Sequence, residues 1–213
     1  MALDLFDSFP NEILEAKTYA DFKTALADSN CARCALWNSR TRIVVDRGNP
    51  EARIVIIGEA PGENEDLQGK AFVGRAGRLL DELMKEIGFD TDKDTLIVNI
   101  VKCRPPENRA PQPKEVAACF PYLKKQLSLV KPKVVLLLGA VALRHVFPQK
   151  REFSMQKEAG RFFEHPDYPE IQFMVLFHPA YILRDPRQKP QMRRHLKLFH
   201  EYWRQLKIIS IQT

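Results

Sequence analysis

The chain has 213 residues, a length that fits one domain spanning residues 1–213 and is large enough to bury a hydrophobic core. Its 45% hydrophobic and 28% charged residues are typical of a globular protein. No apolar run reaches membrane-spanning length, and the first residues include acids where a secretory signal needs bases, so we expect a cytoplasmic protein with no membrane partner. The net charge of +6 is compatible with a polyanionic partner, although many basic proteins bind no nucleic acid.

The first part of the chain predicts a helix, an irregular arm, one core strand and a second helix. Residues 10–29 have helical spacing, and an irregular arm follows from residue 31 to about 50, with a small edge strand expected at residues 40–45. The apolar run at residues 53–57 predicts the first buried strand. An apolar stripe of period 3.6 then predicts an amphipathic helix that ends at Gly88.

The remainder predicts three more strands alternating with helices. The strands are expected at residues 95–101, 133–139 and 171–177. Pro113 suits the first position of a helix that runs to about residue 130 and that Pro121 would bend, and Gly139 opens a helix to about residue 147. Residues 148–170 are expected to be irregular or hairpin-like, and a last helix is expected at roughly 189–207.

Four apolar strands separated by helices are typical of a mostly parallel sheet covered on both faces. The predicted fold is therefore a three-layer α/β/α sandwich with a central four-stranded mostly parallel sheet. The N-terminal helix and the arm, residues 1–50, would pack on this single domain.

The loop after the first strand has the composition of a ligand site. It contains GEAPG at residues 58–62 and continues through Glu65 and Phe72 to Gly77. Its five glycines allow backbone N–H groups to approach a ligand closely. Acids and one aromatic ring suit a planar polar ligand better than a hydrophobic core.

Polar side chains stand at the carboxyl ends of three predicted strands. Glu59 follows the first strand, Asn99 lies near the end of the second, and His178 follows the fourth. In a parallel sheet these ends meet at one crevice, so the three side chains are expected to face a common ligand. Taken singly, Glu59 could cap a turn, the backbone could satisfy Asn99, and His178 could be a capped loop residue.

Four cysteines form a second pattern, with Cys31 and Cys34 in a Cys-x-x-Cys pair and Cys103 and Cys119 further along. In a reducing compartment, metal ligation is more common than disulfides for such a set. Tetrathiolate zinc and a [4Fe–4S] cluster both accept four thiolates, and buried free thiols are the simplest alternative. The spacing does not choose among these three.

Four motifs in order resemble the family-four uracil-DNA glycosylases, the iron–sulfur members of the uracil-DNA glycosylase superfamily. They are GEAPG with Glu65, FVG at residues 72–74, VNIVKCRPP at residues 98–106 and HPA at residues 178–180. The resemblance runs from the Cys-x-x-Cys pair to the terminal helix. It implies uracil-containing DNA as the substrate, a nucleoid location, and a structural [4Fe–4S] cluster on Cys31, Cys34, Cys103 and Cys119.

The resemblance also implies roles for residues of the crevice. Phe72 would stack on the uracil, and the Asn99 amide would match uracil N3–H and O4 but not cytosine. His178 would stabilise the negative charge of the departing base by a hydrogen bond near O2. Glu59 is the nearest candidate to position or deprotonate the attacking water, and Glu65 would lie near the uracil C5 edge and exclude thymine.

The chain departs from its relatives at Ala60, where the best-studied members have an aspartate. Ala60 is still expected to contact uracil, but the departure leaves the role of Glu59 as general base open and shifts catalysis towards electrostatic stabilisation of the leaving group. A branch that traps DNA covalently uses a histidine in a basic insert, and residues 104–119 contain no histidine. A turnover enzyme is therefore expected.

DNA contact is expected from the segment after His178. Tyr181, Ile182 and Leu183 could wedge into the duplex beside the flipped base, with Arg184 on a phosphate. The alternative is that they begin a helix and pack inward. Lys102, Arg104 and Arg109 would add positive charge nearby, where some basic residues would hold phosphates and others would only solvate a helix face. The alternative function is a catalytically idle DNA-binding module of the same fold, and a monomer is the default expectation.

Overall fold

The computed structural model describes residues 11–150 and 152–212. Its strands are β1 Arg47–Gly48, β2 Ile54–Gly58, β3 Thr95–Asn99, β4 Val134–Leu138, β5 Phe162–His165 and β6 Tyr168–Leu176. Its α-helices are α1 Asn11–Glu15, α2 Tyr19–Asp28, α3 Glu63–Gln68, α4 Arg75–Glu86, α5 Thr91–Asp94, α6 Pro113–Val130, α7 Gly139–Val146, α8 Met155–Glu158, α9 Pro179–Arg184 and α10 Lys189–Gln212. Short 3₁₀ turns occupy Ala35–Asn38, Pro106–Asn108 and Pro186–Gln188.

One mixed sheet with the order β1-β3-β2-β4-β6-β5 forms the centre of the fold. The four predicted strands are its parallel core, β3-β2-β4-β6. The prediction of four strands missed two antiparallel edge strands, β1 against β3 and β5 against β6. Both are short or partly exposed, so neither has the continuous apolar run that identified the core strands.

Several predicted boundaries shift in the structure. The edge strand expected at residues 40–45 is Arg47–Gly48 instead, and the expected N-terminal helix is divided into α1 and α2. Thr18 separates these two helices because its side-chain oxygen accepts the Asp21 N–H at 3.1 Å, an N-cap that starts α2. The part of residues 148–170 expected to be hairpin-like contains α8 and the β5–β6 hairpin.

Helices cover both faces of the sheet, because alternate strand residues point to opposite faces. On one face, Val55, Val98 and Leu137 pack with residues of α1, α2, α6 and α7. On the other face, Ile56 and Leu136 pack with residues of α4 and α10. The expected three-layer α/β/α architecture is confirmed.

The strand register brings the carboxyl ends of the parallel strands to one level. Gly58 of β2 pairs with Asn99 of β3, and Leu138 of β4 pairs with Leu176 of β6. The loops that follow β2, β4 and β6 therefore begin side by side, at the edge where ligands bind in open α/β sheets. Among the described residues, no helix is long and apolar enough to cross a membrane.

Leu80→Ala tests the placement of α4. Leu80 is fully buried between α4 and the sheet, so its truncation should lower the free energy of unfolding by about 2–5 kcal/mol. Leu67→Ala is the matched control because Leu67 is 57% exposed, and it should change stability by less than about 0.5 kcal/mol. Urea unfolding followed by circular dichroism measures both, and equal costs would contradict the assigned burial.

Candidate functional site

A cavity of about 710 Å³ opens at the carboxyl edge of the sheet. Every loop that follows a parallel strand contributes to its wall, which matches the convergence expected from the sequence. The wall includes all six residues predicted to bind or act on a base: Glu59, Ala60, Glu65, Phe72, Asn99 and His178. Two of the four residues predicted to contact DNA, Tyr181 and Arg184, also line it.

The amide of Asn99 is the most unusual group in the cavity. Asn99 is 1% exposed, and neither its Oδ1 nor its Nδ2 has a hydrogen-bond partner among the described residues. An unpaired buried polar group costs about 1–3 kcal/mol, so such groups are rare in native proteins. The backbone does not satisfy this amide, and both its acceptor and its donor remain available to a ligand.

Gly58 keeps the space in front of this amide open. A Cβ atom built on Gly58 would lie 2.5 Å from Asn99 Oδ1 and 2.5 Å from Cε2 of Phe72. Both distances are far below van der Waals contact. Because Gly58 and Asn99 are paired across β2 and β3, glycine is the residue that leaves room between the amide and the ring.

Phe72 is held in an unfavourable backbone conformation. Its φ of 55° lies in the left-handed region, which bulky residues rarely adopt. The Arg47 guanidinium donates to the Phe72 carbonyl and also pairs with Asp81 of α4. A Cβ on Gly77 would lie 1.7 Å from the same carbonyl, so glycine at this position lets α4 approach the loop.

His178 both caps a helix and faces the cavity. Its Nδ1 accepts the Ala180 N–H at 3.1 Å, which makes it the N-cap of α9. Burial, reinforced by the positive charge of Arg184, lowers the pKa of His178 to about 4. The ring is therefore neutral near pH 7, and because Nδ1 is an acceptor, Nε2 carries the proton and is a hydrogen-bond donor.

Phe72 and His178 form one wall of the cavity. Their ring centroids are 5.7 Å apart with an interplanar angle of 39°. A flat ligand against Phe72 thus lies within reach of a neutral imidazole donor on one side and of the Asn99 amide on the other.

Glu59 lines the same cavity as Phe72, Asn99 and His178. Burial raises the pKa of its carboxyl group, and the positive charge of Arg184 opposes that rise. The carboxylate makes no hydrogen bond or ion pair within the described part of the chain, so it remains available to a water molecule or a ligand.

Glu65 has a structural task that the sequence analysis missed. Its Oε1 accepts the Gly74 N–H at 2.7 Å, and its Oε2 accepts the Gly62 N–H at 3.1 Å. One carboxylate therefore ties both ends of the glycine-rich loop together. A glutamate three residues after Gly62, the N-cap of α3, is a capping-box signal that could have identified half of this role. Its proximity to a C5 edge stays a prediction.

The segment after His178 is divided between the core and the surface. Ile182 is buried in the core between α4 and α10, so its predicted contact with DNA is wrong and the inward-packing alternative holds. Leu183 is 37% exposed, and Arg184 is exposed at the cavity mouth. Leu183 is therefore the apolar side chain of this segment that a duplex can reach.

The basic residues predicted to lie after β3 occupy different environments in the structure. Lys102 is buried, so the positive charge that it was expected to add near the DNA is not at the surface. Arg109 lines the cavity and is held by the buried Glu115 through bonds of 2.7 and 2.9 Å. Asn108 lines the cavity beside it with a φ of 55°, and the sequence analysis missed it, although asparagine tolerates this conformation.

All four cysteines line a second, small cavity next to the arm. Each is a free thiol. Burial raises the pKa of Cys103 to about 12 and of Cys119 to about 11, and also raises that of Cys34. Neutral buried thiols at these positions would become thiolates on binding a positive metal centre.

Donor groups surround the sulfur atoms. The Lys102 N–H donates to Cys119 Sγ at 3.3 Å, and Arg40 Nη1 donates to Cys103 Sγ at 3.5 Å. The hydroxyl of Tyr122 lies 3.5 Å from Cys31 Sγ. Within the described residues, no group of three or more His, Cys, Asp or Glu side chains is arranged to hold a metal ion. The four sulfur atoms line one cavity, and tetrathiolate zinc and a [4Fe–4S] cluster both use four such ligands.

Comparisons with known proteins agree with this geometry. The family model described as the uracil DNA glycosylase superfamily matches residues 45–207. A type-4 uracil-DNA glycosylase of Sulfurisphaera tokodaii is 40% identical over 177 residues, which cover 81% of this chain and 80% of the relative. A type-4 uracil-DNA glycosylase of Thermotoga maritima is 44% identical over 155 residues, covering 73% of this chain and 79% of the relative. A type-5 uracil-DNA glycosylase of Thermus thermophilus is 32% identical, with coverage of 57% and 60%.

The lowered pKa of His178 predicts a pH dependence of stability. The unfolded chain binds the proton near the ordinary value of 6.5, whereas the folded protein binds it only near 4. The free energy of unfolding should therefore fall as the pH decreases from about 6.5 towards 4, by up to about 1.4 kcal/mol per pH unit from this group.

His178→Asn isolates this contribution, because asparagine can still cap α9. Urea unfolding of both proteins between pH 5 and 8 should give a shallower pH dependence for the variant. Parallel curves for the two proteins would show that His178 is not held neutral by its surroundings.

Proposed function

Because the chain belongs to the uracil-DNA glycosylase superfamily, we infer that it removes uracil from DNA. It hydrolyses the N-glycosidic bond, releases the free base and leaves an abasic site in the strand. The observation that carries this function is the unpaired amide of Asn99, which faces Phe72 across the space left by Gly58. We further propose that the protein acts as a monomer of one domain in the compartment that contains DNA.

Recognition of the base follows from the cavity wall. A glycosylase must extrude its base and read it in a pocket. We propose that the Phe72 ring stacks on the pyrimidine while Asn99 accepts from N3–H and donates to O4 of uracil. Cytosine presents the opposite donor and acceptor, so its binding would leave the buried amide unpaired and is strongly disfavoured.

We propose that His178 stabilises the departing uracil. Bond cleavage places negative charge on the departing uracil, and a fixed donor aimed at that charge lowers the barrier. The neutral ring with its proton on Nε2 supplies such a donor towards O2. Because the Ala180 N–H fixes the other nitrogen, the ring does not have to reorganise during the reaction.

The water that attacks the sugar is assigned to Glu59. This carboxylate has no partner among the described residues, and it lines the same cavity as Asn99 and His178. We propose that it orients the water, and that Ala60 contacts the base through its backbone. Since Ala60 carries no carboxylate, cleavage rests mainly on stabilisation of the departing anion.

The DNA strand is proposed to cross the mouth of the cavity. Tyr181 and Arg184 line the mouth and Leu183 lies beside it, so an apolar wedge and a phosphate contact are available from α9. Arg109, which also lines the cavity, offers a second positive group. A catalytically idle DNA-binding module remains the competing function, and the retained catalytic side chains weigh against it.

We propose that Cys31, Cys34, Cys103 and Cys119 hold a [4Fe–4S] cluster. Their common cavity and the donors around their sulfur atoms support this assignment. When bound, the cluster would supply four iron–thiolate bonds that tie the arm to the end of β3 and to α6. The excision steps proposed above use only protein side chains, the base and water.

Asn99→Asp tests the reading of the base. A carboxylate in place of the amide has no donor for O4, so the single-turnover excision rate on a uracil-containing oligonucleotide should fall at least about a hundredfold. Alkaline cleavage of the abasic product measures the rate. Asn49→Asp is the matched control, because Asn49 bonds to the chain next to the amino end of β3, at the opposite edge of the sheet.

The control should retain the rate of the unaltered protein. Equal rates for Asn99→Asp and Asn49→Asp would remove Asn99 from base recognition. Absence of strand cleavage with the unaltered protein itself would leave the idle DNA-binding module as the function.

Metal analysis tests the cluster. The purified protein should be brown and contain about four iron and four sulfide per chain, and Cys119→Ala should lose the colour and most of the iron. Colorimetric iron and sulfide assays with visible absorption spectra provide the measurement. One zinc per chain in a colourless protein would instead establish a tetrathiolate zinc site.

A further inference from the structure

A buried lysine stands between the base-reading amide and the thiol cavity. Lys102 is 1% exposed, and its Nζ donates to the backbone carbonyl of Asn99 at 2.7 Å and to Oε1 of Gln126 at 2.5 Å. It thus holds the main chain of the residue whose side chain reads uracil. The proposed excision steps do not use Lys102 as a ligand of the base or of the sugar.

The contacts of Lys102 extend into a polar network of Lys102, Gln126, Tyr19, Asp46 and Lys23, which runs from the buried Lys102 to the exposed Lys23. Gln126 Nε2 donates to the Tyr19 hydroxyl at 2.9 Å and to the Val45 carbonyl at 3.1 Å. The Tyr19 hydroxyl donates to Asp46 at 2.8 Å, and Lys23 pairs with the same carboxylate at 2.7 Å. These contacts hold the Gln126 amide in place. Its Oε1, which accepts the hydrogen bond from Lys102, therefore has a fixed position.

The main chain of Lys102 is fixed as well. Its N–H donates to Cys119 Sγ at 3.3 Å, and its carbonyl accepts the Val44 N–H at 2.8 Å. The next residue is Cys103, a second member of the thiol set. Residues 99–103 therefore form a short segment with the uracil-reading amide at one end and two thiol contacts at the other.

Stability alone does not explain a charged group at this position. Removal of an ammonium from water is costly, and an apolar side chain of similar volume often fills such a site without loss of stability. The ammonium does have one property that an apolar chain lacks, since its donors fix the direction of the Asn99 carbonyl. The carbonyl belongs to the backbone from which the Asn99 side chain extends, so its direction constrains the position of the amide.

We propose that Lys102 is a positioning residue that holds Asn99 in the orientation required for excision and joins it mechanically to the thiol cavity. This inference rests on the proposed function of Asn99. Displacement of a catalytic group by about 1 Å can cost a hundredfold in rate. A lysine that does not contact DNA can therefore change the excision rate through the position of Asn99. Damage to the thiol site would reach Asn99 along the same segment.

Lys102→Met provides the test, with Lys85→Met as the matched control. Methionine has similar length without a donor, and Lys85 is an exposed lysine on α4, so both variants lose one positive charge. Each protein is analysed for iron content, thermal unfolding temperature, dissociation constant for uracil-containing DNA and single-turnover excision rate under saturating enzyme.

Lys102→Met should retain iron and bind DNA within about threefold of the control, while its excision rate falls tenfold or more. This separation of rate from binding is expected of a positioning residue. An excision rate equal to that of Lys85→Met would overturn the inference, and so would a lowered unfolding temperature with an unchanged rate at 25 °C.

Gln126→Met keeps the inference testable if Lys102→Met does not fold. It removes one acceptor of the ammonium and leaves the lysine itself in place, so a loss of at least threefold in excision rate with normal DNA binding is expected. An unchanged rate would count against the inference. Failure of the unaltered protein and of Lys85→Met to excise uracil would instead contradict the proposed function.

Discussion

The Asn99 amide is buried at the tip of β3 without a hydrogen-bond partner in the part of the chain that the structure describes, and much of the surrounding structure keeps it in that state. The parallel register sets Gly58 beside it, where any larger residue would fill the space. The carbonyl of Asn99 is held by Lys102, and the opposite wall is Phe72. An unpaired buried amide costs free energy, and a base with matching donors and acceptors removes this cost when it binds. A base without that match does not, so the unpaired amide is a source of specificity.

The parts of the site that could be predicted are those that follow from strand order. Apolar runs identified the four parallel strands, and their carboxyl ends had to meet at one edge, so Glu59, Asn99 and His178 were expected to share a crevice. They all line one cavity. The positions of the edge strands β1 and β5 were not predicted, because partly exposed strands have no continuous apolar run.

Other features depend on contacts between distant parts of the chain. Lys102 was expected to add positive charge near the DNA, but Gln126 lies 24 positions away and only the folded chain shows that it receives the ammonium. Glu65 reaches Gly74 across the loop, a bond that no local spacing predicts. Ile182 packs inward because α9 turns this side chain towards the core.

The left-handed backbone of Phe72 has a consequence for affinity. Its ring is fixed before any base arrives, because the carbonyl is clamped by Arg47 and crowded by α4. Ordering a mobile aromatic side chain on binding costs about 0.5–1.5 kcal/mol, and folding of this loop has already met that cost. A flipped base therefore meets a preorganised surface, and the ordering of this loop during folding lowers the free-energy cost of capturing the nucleotide.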